Sequence, residues 1–94
     1  MDTFEVKISK DALKDLKKLP HPILEKLNSW ISDVENCGLL STHNLSGIHD
    51  EPLHGQMSSQ RSIRLNRSYR AIYSLVNEVE NYVVIDEVSK HHYH

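Results

Sequence analysis

The last five residues of the chain, "KHHYH" (90–94), concentrate groups that can exchange protons near neutral pH. Histidine titrates close to physiological pH, and a tyrosine ring can stack on an unpaired base. Earlier in the chain, Glu51 offers a carboxylate, while Arg64 and Arg70 offer planar guanidinium groups that suit phosphate. These groups can cleave RNA without a metal. A glutamate or histidine accepts the 2′-hydroxyl proton, arginines stabilise the phosphorane, and an imidazolium protonates the 5′-oxygen.

The charge distribution favours an anionic ligand, although the formal net charge of the chain is −2. Residues 55–77 contain four arginines and no acidic residue. A local basic field of this kind attracts phosphates even when the whole protein is close to neutral. The sequence therefore places the candidate anion site in its second half.

Length and composition predict one soluble domain over residues 1–94, with an ordinary 38% of hydrophobic residues. The sequence lacks an apolar run of the roughly 18 to 20 residues that cross a bilayer. Its first ten residues, "MDTFEVKISK", lack the apolar core of a signal peptide. With Cys37 as its one cysteine, we expect a cytoplasmic protein that does not contact a membrane.

The elements that must position the chemical groups begin with a strand and two helices. Residues 3–9, "TFEVKIS", alternate between apolar and polar side chains, as half-buried strands do. Ser9 then occupies an N-cap position, and Leu13, Leu16 and Leu19 follow at helical spacing. A second apolar helix follows "PHP", with Pro22 at its start and Gly38 at its end.

The second half of the chain reads as a loop followed by strands. Residues 39–52 show no period, whereas "QRSIRLN", "YRAIYSLV" and "NYVVIDEVS" are strand-like and are separated by short polar turns. The predicted fold is therefore α+β in the order β-α-α-β-β-β, with two helices on one face of a small antiparallel sheet. The other face would display Arg64 and Arg70 on adjacent strands, and the last strand would deliver the terminal histidines.

Each of these groups also has a more ordinary explanation. Arginines on an exposed strand commonly protect a sheet edge, and terminal residues are commonly frayed. The histidines further allow a metal site. Three of them lie near the end of the chain, His91, His92 and His94, and three lie in one loop region, His43, His49 and His54. On a strand, however, His91 and His92 would point to opposite faces, so we expect neither a metal nor another cofactor.

Three stretches of the sequence resemble the RelE superfamily of bacterial toxins from type II toxin–antitoxin modules. These are "EPLHG", "RSIRLNRSYRAIY" and the terminal histidine–tyrosine, and they are most similar to the YoeB-like and HigB-like branches. The resemblance implies a ribosome-dependent mRNA interferase that cuts mRNA in the ribosomal A site. It implies three partners: a cognate antitoxin in a hetero-oligomer, the ribosome with its 16S rRNA, and mRNA.

The resemblance also implies roles for individual residues. Glu51 stands at the position of a catalytic glutamate, and Arg70 at that of the arginine that stabilises the transition state. Arg64 matches a basic strand position, His92 an acid and base, and Tyr93 a residue that orients the substrate. We expect further RNA contacts from the neighbouring basic and imidazole side chains, His54, Arg61, Arg67, Lys90 and His91.

Two departures from the family pattern leave the roles of two residues open. His54 stands where lysine or arginine is common, and His94 adds a residue after the terminal tyrosine. The alternative function is that of a ParE-like toxin of the same fold, which poisons DNA gyrase by binding it. Such chains generally lack the glutamate and the terminal histidine–tyrosine that this sequence carries.

Overall fold

The computed structural model describes residues 5–39, 42, 47–53, 60–77 and 82–90. Its elements are β1 (Glu5–Ile8), α1 (Lys10–Leu16), α2 (His21–Cys37), β2 (Glu51–Pro52), β3 (Gln60–Arg64), β4 (Tyr69–Asn77) and β5 (Tyr82–Lys90). The five strands form one sheet in the order β1-β5-β4-β3-β2. The β1–β5 pair is parallel and the other pairs are antiparallel. The predicted α+β fold is confirmed, with β2 added.

Helix α1 begins at the predicted cap but presents a different face to the sheet. The Ser9 hydroxyl accepts a hydrogen bond from the Ala12 amide at 3.1 Å. This amide lies in the first turn, where backbone N–H groups have no carbonyl partner within the helix. Ala12 is fully buried, whereas Leu13, which the leucine spacing placed inward, is 48% exposed. The helix lies close against β5, where the Asp15 carboxylate accepts a hydrogen bond from the Val88 amide at 3.0 Å. A small alanine permits this close approach.

Helix α2 supplies the largest apolar face of the helical layer. Ile23, Leu27, Trp30 and Val34 recur at intervals of three and four residues, and all four are buried. The helix ends at Gly38, whose φ of 86° is unfavourable for residues with a β-carbon and whose amide donates to the Val34 carbonyl at 2.9 Å. Neither helix in the described residues combines the length and apolar character needed to cross a bilayer.

The core lies between the two helices and one face of the sheet. Alternate side chains of the central strands point into it and are at most 1% exposed: Ile63, Ala71, Tyr73, Val83 and Ile85. Because successive side chains of a strand point to opposite faces, the residues between these positions lie on the face without helices. We call this the open face. Arg64 and Arg70 occupy it, as the alternation predicted.

Strand β2 lies where the sequence predicted a loop. Glu51 pairs with Ser62 and Pro52 with Arg61, and the Leu53 amide donates to the Gln60 carbonyl at 2.9 Å. A strand of two residues is too short to show an alternating pattern. Proline, which has no amide hydrogen, suits the edge position that β2 occupies in the sheet.

Candidate active site on the open face

The two arginines of the predicted site form a direct cross-strand pair. Arg64 of β3 lies opposite Arg70 of β4, and both are partly exposed. The turn between them is held by the Asn66 carboxamide oxygen, which accepts hydrogen bonds from the amides of Ser68 and Tyr69 at 2.7 and 2.8 Å. This local bonding is the reason why an Asn-led turn joins the strands tightly. It brings two positive charges together on one face.

Arg70 is oriented by the backbone of the same turn. Its Nη1 atom donates to the Asn66 carbonyl at 3.0 Å and to the Tyr69 carbonyl at 3.3 Å. Both contacts are made by one nitrogen of the guanidinium. The arginine side chain is therefore positioned before any ligand arrives.

A cleft of about 410 Å³ opens beside Arg70 on this face. It is lined by residues of β2, β3, β4 and β5 and by Leu53, which follows β2. These residues are Glu51, Leu53, Ser62, Arg70, Ile72, Ser89 and Lys90. The lining thus combines the acidic residue Glu51 and the basic residues Arg70 and Lys90 with apolar and hydroxyl-bearing residues. Such a mixture of an acid–base group and cations is suited to a phosphodiester.

The strand register explains why residues so distant in sequence meet here. Glu51 pairs with Ser62, Ser62 with Ile72, and Arg70 with Ser89. Each pair shares a face of the sheet, so two neighbouring rows, one across β2, β3 and β4 and one across β4 and β5, lie beside the same cleft. Of the predicted site residues, the structure brings together Glu51, Arg70 and Lys90.

Arg64 lies at the margin of this group. It faces Arg70 across the β3–β4 pair but does not line the cleft. Its Nε atom is buried and has no hydrogen-bond partner within the part of the chain that the structure describes.

Arg61 lies on the helix-covered face of the sheet rather than on the open face. It has the same parity as the buried Ile63 on β3, and its Nε atom is 2.5 Å from Oδ1 of Asp50. Its Nη2 atom also donates to the Asp50 carbonyl at 3.2 Å. Only 29% of the Arg61 side chain is exposed. Arg61 therefore does not share a face with Arg64 and Arg70, and its role as an RNA contact stays a prediction.

Asp50 also accepts a hydrogen bond from the hydroxyl of Tyr73, at 2.6 Å from its Oδ2 atom. Burial raises the pKa of Tyr73, and the hydrogen bond to Asp50 raises it further, so the phenol stays protonated and donates. Burial alone would lower the pKa of Arg61, but the hydrogen bond and charge of Asp50 outweigh it and raise that pKa. We call Asp50, Arg61 and Tyr73 the Asp50 cluster.

The remaining predicted residues fall into two groups. Arg67 is exposed in the turn between β3 and β4 and does not line the cleft. His54, His91, His92 and Tyr93 lie outside the described residues, and their roles stay predictions. Of the histidines considered for a metal site, His49 alone is among the described residues.

Sequence reasoning missed the Asp50 cluster and the uncharged lining of the cleft. Ser62 and Ile72 have the same parity as Arg64 and Arg70 on their strands, so alternation could have found them. Arg61 could have been assigned inward by the same rule. Asp50 carried no comparable signal, because its burial depends on the pairing of a two-residue strand with β3.

The similarity of this chain to known proteins is found in its three-dimensional structure. No protein-family model matches the chain, and no curated protein sequence matches it significantly. The chain is similar to a solved structure of the toxin–antitoxin complex RelBE2 from Mycobacterium tuberculosis, with a TM-score of 0.70 and 24% identity over 95% of this chain and 99% of that one. The chain is also similar to the solved YoeB dimer from Staphylococcus aureus, with a TM-score of 0.70 and 21% identity over 98% of this chain and 100% of that one.

The archaeal RelE–RelB complex from Pyrococcus horikoshii OT3 is similar as well, with a TM-score of 0.71 and 24% identity over 95% of this chain and 96% of that one. At these identities the likeness establishes the fold, and it extends over nearly the whole of each chain. The structural resemblance predicted from the sequence is confirmed: this chain has the fold of RelE- and YoeB-type toxins.

Proposed function

We propose that the protein is the toxin of a bacterial type II toxin–antitoxin module and acts as a ribosome-dependent mRNA interferase. The observation that carries this proposal is the cleft of the open face, where Glu51, Arg70 and Lys90 converge from three strands. Lys90 is the last residue of β5, and the terminal "HHYH" follows it in the sequence. The fold shared with RelE- and YoeB-type toxins supports the same function.

The proposed chemistry uses the side chains alone. Glu51 or His92 accepts the proton of the ribose 2′-hydroxyl, whose oxygen attacks the adjacent phosphorus. Arg70, assisted by Arg64 and Lys90, stabilises the additional negative charge of the phosphorane. The 5′-oxygen leaves with a proton from the His92 imidazolium, which yields a 2′,3′-cyclic phosphate and a 5′-hydroxyl. Tyr93 holds the scissile nucleotide by stacking.

Induction of the protein in a bacterial host, followed by primer extension on a reporter mRNA, tests this function. We expect new 5′ ends within the translated region, and we expect them to disappear when the start codon of the reporter is removed. Cleavage that persists without translation would contradict ribosome dependence. An intact mRNA together with inhibited DNA supercoiling would instead indicate gyrase poisoning.

Replacement of Glu51 by glutamine is expected to lower the cleavage rate by no more than about 100-fold, the lower end of the range for a lost acid or base. The loss stays moderate because His92 can carry both proton transfers. Single-turnover cleavage on programmed ribosomes measures it. Glu87→Gln is the matched control, since Glu87 pairs with Ile72 on the same face without lining the cleft. Equal losses in both variants would contradict a specific role for Glu51.

An antitoxin is expected to bind across the basic region around Arg64 and Arg70 or its flanks. A ribonuclease of this kind must be masked in its host, and an acidic or amphipathic segment complements a basic groove. Co-expression with the product of the adjacent small open reading frame, followed by affinity purification, should recover a tight complex that does not cleave mRNA. Two folded chains that fail to associate would contradict the module. The solved M. tuberculosis and P. horikoshii structures are themselves toxin–antitoxin complexes.

A further inference from the structure

Asp50 and Glu51 are consecutive residues that face opposite sides of the sheet. The Asp50 side chain is 0% exposed and lies on the helix-covered side, whereas Glu51 is exposed and lines the cleft. Because the backbone joins them directly, whatever fixes the Asp50 carboxylate also fixes the direction of the Glu51 side chain. The position of the proposed catalytic carboxylate therefore depends on a buried neighbour.

In the described part of the chain, Ile48 anchors the backbone before β2, because its side chain is buried and its carbonyl accepts a hydrogen bond from the Arg64 amide at 2.6 Å. Strand β2 itself has no buried side chain. It consists of Glu51 and Pro52 at the edge of the sheet, and Pro52 has no amide hydrogen to donate. Both residues are exposed, so hydrophobic burial contributes little to their position. An edge strand this short is prone to open or to change its pairing.

The Asp50 cluster supplies a further constraint. Arg61 holds residue 50 twice, through the carboxylate at 2.5 Å and through the carbonyl at 3.2 Å. Tyr73 holds the other carboxylate oxygen at 2.6 Å, and this tyrosine is fully buried with its ring centroid 5.0 Å from that of Trp30. The cluster thus joins the edge of the sheet to the rigid core.

A buried ion pair is a weak source of net stability, because desolvating two charges offsets most of their attraction. Its value lies in geometry, since Arg61 and Tyr73 hold the two carboxylate oxygens of Asp50 from fixed positions on β3 and β4. A shift of β2 by one residue would turn Asp50 toward solvent and Glu51 toward the core. The cluster therefore selects one register.

We propose that the Asp50 cluster is a positioning device that locks β2 against β3 and so holds the Glu51 carboxylate in the cleft. Asp50, Arg61 and Tyr73 are positioning residues, which act through Glu51. The part of this inference that concerns RNA cleavage rests on the proposed function. The part that concerns the register of β2 does not.

Amide hydrogen exchange on the full chain tests the register without any activity. The reporter is the Leu53 amide, which donates to the Gln60 carbonyl only while β2 is paired. In Tyr73→Phe and Asp50→Asn we expect its exchange to accelerate at least about 10-fold, while the amides of β5 keep their protection. Tyr82→Phe removes a hydroxyl from the far end of β5 and should leave Leu53 unchanged. The emission of Trp30, the one tryptophan in the chain, verifies that each variant is folded.

Unchanged Leu53 exchange in Tyr73→Phe and Asp50→Asn would overturn the proposal. Equal acceleration of Leu53 and of the β5 amides would overturn it too, because the cluster would then be a general stabiliser of the fold. Should Asp50→Asn fail to fold, Tyr73→Phe, which removes a single oxygen atom, decides by the same criterion.

Cleavage kinetics then link the register to catalysis. Asp50→Asn is expected to lower kcat about 10-fold with little change in KM, since a displaced catalytic group slows the chemical step. In a Glu51→Gln background the same substitution should have almost no further effect, because the group that it positions is already disabled. Fully additive losses would overturn the link to Glu51. Wild-type protein that does not cut mRNA would refute the proposed function, while the exchange result would still decide on the register.

Discussion

Replacement of Arg70 by alanine is expected to lower the rate of mRNA cleavage by about 100- to 1000-fold, the usual cost of removing one preorganised donor from a transition-state site. The loss should be large because Arg70 lines the cleft and is already oriented by two backbone carbonyls. No reorganisation is then needed as negative charge develops on the phosphorane. Single-turnover cleavage on programmed ribosomes measures the rate, and growth after induction reports the same loss in cells.

Two further variants separate charge from geometry at this position. Arg70→Lys keeps the positive charge but loses the planar fork, so we expect a rate between those of the wild type and Arg70→Ala. Lys14→Ala removes an equal charge from an exposed position on α1, in the other layer of the protein, and should cleave normally. If Arg70→Ala cleaves as fast as Lys14→Ala, transition-state stabilisation by Arg70 is refuted.

Local patterns in the sequence predicted most of the fold. The alternation of residues around Ile63 and the apolar spacing of α2 each define one buried face, and a buried face leaves few ways to pack. Local patterns could not predict the parallel pairing of β1 with β5, because this pairing joins residues near opposite ends of the chain. Pairings of this kind depend on tertiary packing rather than on local propensity.

The site was predictable to the extent that it depends on regular strands. Arg64 and Arg70 could be placed together because a short turn joins two alternating strands. The chemistry of Glu51 made it a candidate for the site, but its position on the sheet could not be predicted. Its strand has two residues, which is too short to show an alternating pattern. Arg61 was named as an RNA contact for its charge, whereas its parity with Ile63 decides which face of the sheet it occupies. Its role as an RNA contact stays a prediction.

The position of Glu51 connects the edge of the sheet with its core. Asp50, buried behind it, is held by Arg61 and by Tyr73, which packs on Trp30. The solved M. tuberculosis and S. aureus structures share this fold at 24% and 21% overall identity. The support of Glu51 is therefore inferred from the contacts of this chain alone.

The largest effect is expected from His92→Ala, which should lower cleavage by about 100- to 10,000-fold, the range for loss of a general acid or base. His92 follows Lys90 by two residues, and Lys90 lines the cleft at the end of β5. Two residues of chain span at most about 7 Å, so the imidazole can reach the phosphodiester that Arg70 would bind. Cleavage of a reporter mRNA by primer extension measures the loss.

The fold should survive this change, because the core residues within the described part of the chain all precede the terminal segment. Thermal unfolding followed by the emission of buried Trp30 should give the same midpoint for the wild type and His92→Ala. His21→Ala is the matched control, since His21 is 80% exposed at the start of α2 and pairs there with Glu25. A chain truncated before His92 that still cuts mRNA at the wild-type rate would show that the terminal histidines do not act in catalysis. Proton transfer would then have to depend on Glu51.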